Sequence, residues 1–112
     1  MPVIAIAEIF GIRGRRDELA DLLTWTERQA RAFAGSRRYF FAARVAEPDE
    51  FVLVSEWDTE AALAAYHRSE QFARYQHELH GLLARPSEMT IYSVTETVRP
   101  VPSAPLDPRD AD

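Results

Sequence analysis

The sequence contains no cysteine, so disulfides, thiolate catalysis and zinc–thiolate sites are excluded at once. No apolar run approaches the length that spans a membrane. The opening stretch, Met1-Pro-Val-Ile-Ala-Ile6, lacks the basic lead of a secretion signal and reads as a strand, so a cytoplasmic protein is expected. Positive charge is in deficit as well: 13 basic against 18 acidic side chains leave a formal net charge of −5. Such a balance argues against nucleic acid and anionic membranes as partners. No solenoid repeat, His-Glu-x-x-His pattern or Ser-centred elbow occurs, and Gly11-Ile-Arg-Gly14 is neither a P-loop nor a dinucleotide fingerprint. His77 and His80, three apart, have no convincing carboxylate beside them, so no metal site is expected.

What the chain does have is a continuous passage from strand to helix. Phe51-Val-Leu-Val-Ser-Glu-Trp57 reads as a strand covered on both faces, because a one-sided strand would alternate more cleanly. Asp58 or Thr59 then offers a side-chain oxygen to the first free amides of a helix, and Glu60 favours its positive end. Ala61, Ala62, Leu63, Ala64 and Ala65 are strong helix formers. Trp57 therefore stands at a strand end beside a helix start, with Tyr66 more than two turns further on.

The remaining elements follow in order. Residues 3–10 make a first strand, almost wholly apolar. A first helix runs from about Arg16 to Ala34, with Asp17 and Glu18 in its first turn and Leu19, Leu22, Leu23, Thr26, Ala30 and Phe33 forming one stripe. Gly35 suits the left-handed position that ends it. Arg38 to Ala46 is a second strand, with Tyr39, Phe40 and Phe41 at its start, joined by the Pro48 turn to the strand ending at Trp57. The second helical region spans about Thr59 to Leu83, with a break near Ser69, and the fourth strand covers Met89 to Val98. Residues 1–98 then form one domain, and the proline- and aspartate-rich residues 99–112 form a mobile tail. The order β-α-β-β-α-β is that of a ferredoxin-like α+β sandwich. Two helices cover only one face of four strands, yet the first and third strands are apolar on both. A homodimer packed sheet to sheet is expected.

The run Glu56-Trp57-Asp58-Thr59-Glu60-Ala61-Ala62-Leu63, followed by Tyr66, Ser69 and Phe72, resembles the antibiotic biosynthesis monooxygenase family of dimeric α+β barrels. The resemblance extends over most of residues 3–97 in element order and spacing. It implies that Trp57 corresponds to the Trp lining the cavity and Phe72 to the family aromatic, while Tyr66 takes the place where many members have His. His67, one position on, would face some 100° away on a helix. The haem-degrading branch is less similar: its first-strand Asn falls on Ala7, and its haem-ligand His falls near Gln76, with His77 one position off.

The resemblance implies a cofactor-independent monooxygenase acting with O2 on a phenolic, quinol or polyketide-type aromatic held in an apolar cavity. Trp57, Tyr66 and His67 are the expected catalytic residues. Phe41, Leu53, Phe72, Tyr75 and His77 are the expected substrate-binding residues. The alternatives are a ligand-binding or structural dimer that keeps the barrel without the chemistry, and a haem-binding relative.

Overall fold

A computed structural model of the chain describes residues 1–104. Seven elements occur in the order β1 (Val3–Phe10), α1 (Arg16–Arg31), β2 (Ser36–Ala43), β3 (Glu50–Trp57), α2 (Glu60–His67), α3 (Glu70–His80) and β4 (Glu88–Ser93). The strands pair antiparallel in the order β2-β3-β1-β4, with all three helices on one face. This is the ferredoxin-like α+β sandwich that the element order implies.

The period of two along each strand decides what the helices cover. Val3, Ala5, Ala7 and Ile9 of β1 and Phe51, Leu53, Ser55 and Trp57 of β3 are buried beneath them. Ala5 and Ala7 are small, and they share one core cluster with the large rings of Trp57 and Tyr66. The α1 stripe of Leu19, Leu22, Leu23, Thr26 and Ala30 is buried as its spacing predicts. The hydroxyl of Thr26 donates back to the Leu22 carbonyl at 2.8 Å, so the one polar member of the stripe is satisfied.

Element ends depart from the sequence reading where backbone partners run out. β4 stops at Ser93 rather than Val98, because β1 begins at Val3 and the Val94 amide bonds the Pro2 carbonyl as the last available acceptor. α1 stops at Arg31 rather than Ala34, and β2 begins at Ser36. Between them Gly35 adopts φ +85°, and its carbonyl accepts the Asp58 amide at 2.8 Å. A Cβ on Gly35 would lie 2.5 Å from the Ala62 Cβ. Gly35→Ala is therefore expected to cost at least about 1–2 kcal/mol from the left-handed backbone alone, measured by urea unfolding. An unchanged midpoint would contradict the close approach of this turn to α2.

The edge strand β2 is guarded by α1. Arg31 Nε donates to the Tyr39 carbonyl at 3.1 Å, and the Phe41 amide donates to Glu27 Oε1 at 3.2 Å, so side chains satisfy backbone groups that a neighbouring strand could otherwise take. The face of the sheet away from the helices carries Ile4, Ile6, Phe40, Val52 and Val54, all half-buried, and Tyr92, which is exposed. Residues 95–104 form no helix or strand. The rest of the expected tail, including Pro105 and Pro108, lies outside the described residues. No helix among the described residues is long and apolar enough to cross a membrane.

Candidate functional site

The site is set by a helix break. Thr59 caps α2 by accepting the Ala62 amide at 3.1 Å. Ten residues later, Ser69 ends that helix and begins the next. Its hydroxyl donates to the Tyr66 carbonyl at 2.6 Å and accepts the Phe72 amide at 3.1 Å. The serine side chain thus satisfies a carbonyl leaving α2 and an amide entering α3, and the chain turns there. The turn folds Phe72 back over His67 and Tyr66, with ring centroids 4.6 and 5.3 Å away.

Beneath this turn lies an aromatic cluster. Trp57, with no exposed surface, stacks on Tyr66 at 5.2 Å and 23°. Tyr39 meets Tyr66 edge-on, and their hydroxyls are 3.4 Å apart. Trp57 Nε1 is buried without a hydrogen-bond partner among the described residues.

A cleft of about 620 Å³ opens between α3 and the segment leading into β4. Its walls include His67, Phe72, Gln76, His80, Arg85 and Met89. At its inner end His67, Phe72, Gln76 and Met89 also border an enclosed cavity of about 20 Å³, floored by Ala7, Leu53, Tyr39, Tyr66 and Tyr75. That space matches a single water-sized atom group. The cleft volume itself falls within the range that holds small organic ligands.

Burial sets the protonation states. It lowers the His67 pKa, so the imidazole stays neutral near pH 7. It raises the pKa of Tyr39 and Tyr75, and of Tyr66 too, where the hydrogen bond with Tyr39 opposes it in part. Three protonated phenols and a neutral imidazole therefore meet at one apolar end: donors for an oxygen atom, and an acceptor for a proton.

Of the residues singled out in the sequence, Tyr66, His67, Leu53, Phe72 and Tyr75 converge on this cavity. Tyr66 and His67 both border it, although consecutive helix residues point about 100° apart. Trp57 stands behind Tyr66 and lines neither cavity, contrary to the cavity-wall position expected for it, because the Tyr66 ring covers its face. Phe41 packs between Tyr39 and Tyr75 and borders a separate shallow depression against α1. His77 lies exposed on the outer face of α3, since the helix runs without irregularity and turns Gln76 to the cleft instead. Gln76, Ser87, Met89 and Arg85 were not picked out as binding residues. Gln76 could have been found from its spacing of four after Phe72; the short segment before β4 carries no such signal. Among the described residues no group of three or more His, Cys, Asp or Glu could hold a metal ion.

The sequence profile of the antibiotic biosynthesis monooxygenase family matches residues 2–78, from β1 through most of α3. The chain belongs to that family. Solved structures agree with the family fold. Rv0793 from Mycobacterium tuberculosis is 25% identical, with a TM-score of 0.82 over 88% of this chain and 100% of that one. A Deinococcus radiodurans protein bearing the family's name is 18% identical, with a TM-score of 0.84 over 89% and 99%. PA3566 from Pseudomonas aeruginosa is 23% identical, with a TM-score of 0.77 over 85% and 95%. No curated protein sequence matches the chain. The family match takes in Tyr66, His67, Phe72 and Gln76 but ends before Arg85, Ser87 and Met89. One wall of the cleft therefore lies within the matched residues and the other beyond them.

Proposed function

We propose that the protein is a monooxygenase that uses O2 without a cofactor to oxidise a phenolic, quinol or anthrone-type aromatic bound in the α3–β4 cleft. The observation that carries this reading is the joining of a ligand-sized cleft to an inner end where a neutral imidazole and buried phenols meet. Such substrates have acidic protons. His67 accepts one, and the resulting electron-rich anion passes an electron to O2. Recombination gives a peroxide, and its O–O bond breaks. For an anthrone methylene, one oxygen atom of O2 becomes the new carbonyl and the other leaves as water with the two hydrogens of the methylene. Tyr66 and Tyr39 donate hydrogen bonds to the developing oxygen anion, and Phe72 holds the aromatic plane. The apolar walls exclude water that would quench the carbanion.

No haem step belongs to this scheme. Gln76 faces the cleft where a haem-ligand His would be needed, and His77 faces solvent. The test is O2 uptake with an anthrone or naphthohydroquinone, compared with the uncatalysed rate. Uptake at the background rate with every such compound would overturn the reading.

The working unit in this proposal is a homodimer. The uncovered face carries Ile4, Ile6, Phe40, Val52 and Val54, an apolar patch that a second copy would bury. Glu8 and Glu88 are paired opposite one another at one corner of that face, while Arg38 sits at the opposite corner. A two-fold-related copy can bring the arginine of one chain to the carboxylates of the other. Sedimentation at micromolar concentration is expected to give twice the 12.8 kDa chain mass. A monomer at that concentration would remove the sheet-to-sheet assembly.

A further inference from the structure

The chain is acidic overall, with 18 Asp and Glu, yet no carboxylate among the described residues lines the cleft. The nearby carboxylates are directed elsewhere. Glu78 of α3 pairs with Arg74 at 3.5 Å on the outer side of the helix. Glu8 and Glu88 border a hollow on the opposite face of the sheet, with Ile6 and Val52. Across the cleft from His67, by contrast, stands Arg85. Its guanidinium lies 3.8 Å from the centre of the Phe10 ring and has no carboxylate partner among the described residues. The Phe10 face holds the arginine in place without neutralising it. His80 lines the same outer part of the cleft and offers an imidazole N–H. The two ends of the cleft thus differ: aromatic and apolar within, cationic and free of acid at the mouth.

We infer that the substrate is an aromatic carboxylate, its ring inserted toward Phe72 and Tyr66 and its carboxylate held at the cleft mouth by Arg85 with His80 beside it. This rests on the aromatic-substrate reading above and adds what selects among aromatics. A planar guanidinium matches a carboxylate through two parallel N–H donors. In a protein of net negative charge, an anion approaches only where the local field is reversed. The carboxylate would also fix which ring position reaches His67, because one end of the ligand is anchored.

The experiment is equilibrium binding without oxygen, so that it does not depend on turnover. Naphthohydroquinone and its carboxylated analogue, dihydroxynaphthoate, are titrated against the full chain and followed by quenching of tryptophan emission. A Trp25→Phe background removes the second indole. The carboxylated compound is expected to bind about five-fold tighter, the upper range for a solvent-accessible ion pair. Arg85→Gln should abolish that preference, bringing the affinities of the two compounds together. Arg85→Lys, which keeps the charge, should retain most of it. Equal affinities in the unaltered protein, or a preference that survives Arg85→Gln, would overturn the anion subsite. Neither result bears on the oxygenase reading, which stands or falls on O2 uptake.

Discussion

Trp57→Ala is expected to lower the free energy of unfolding by about 3–5 kcal/mol, the cost of deleting a large aromatic side chain from a packed core. That would remove a large share of a total that is about 5–15 kcal/mol for an ordinary domain. Trp57 has no exposed surface, stacks on Tyr66 at 5.2 Å and meets Tyr39 edge-on at 6.4 Å. Its partner across the sheet is Val3, so the indole also closes the end of the β1–β3 ladder. Trp57→Phe should cost less, about 1–2 kcal/mol. The smaller ring leaves a smaller gap and removes an indole N–H that has no partner among the described residues. Because Trp57 lines neither the cleft nor the inner cavity, Trp57→Phe should leave aromatic-ligand affinity unchanged in the folded protein. Urea unfolding gives the first quantity and a ligand titration the second. A large loss of affinity with little loss of stability would reverse the assignment and return Trp57 to the cavity wall.

The second large effect is expected at His67. His67→Gln should slow O2 uptake with an anthrone by about 10²–10⁴-fold, the usual contribution of a positioned general base. Stability should change little, because the ring is only half-buried. The pH dependence carries a sign that can be checked. Burial holds the His67 pKa below its ordinary 6.5. The imidazole therefore remains neutral and able to accept a proton above that value and somewhat below it. Rate should be level on the neutral side and fall on acidification, with the midpoint below pH 6.5. Stability follows the same direction. As pH drops past 6.5 the unfolded chain takes up the proton first, so the contribution of the neutral buried ring is present above 6.5 and declines toward the lower folded-state value. A rate that rises on acidification through this window would rule out His67 as the base.

Much of the fold was legible because local chemistry and burial agree. The α1 stripe is buried from Leu19 to Ala30, and only Phe33, beyond the end of the helix, is half-buried. Gly35 and Ser69 each stand where their special chemistry is needed: a left-handed backbone at one, a side chain that ends one helix and starts another at the other. The errors lie at element ends. The alternation of β4 runs on to Val98, five residues past Ser93, but β1 offers no partner there, and a strand without a partner has no ladder.

The site divides along the same line. The sequence by itself determined the β-α-β-β-α-β order, the family, and the presence of an aromatic and histidine cluster around the Trp57–Phe72 stretch, because those depend on periodicity and on neighbours close in the chain. Only the tertiary structure decided which of those rings face empty space. Helical phase put Gln76 rather than His77 on the cleft, and the packing of Tyr66 over Trp57 took the indole off the cavity wall. Arg85, Ser87 and Met89 join the site from across the sheet, through the pairing of β4 with β1. Their distance in sequence from His67 and Phe72 gives no local pattern to read. Their role comes from which strand lies beside which, and that is settled by the burial of the whole sheet rather than by any segment of it.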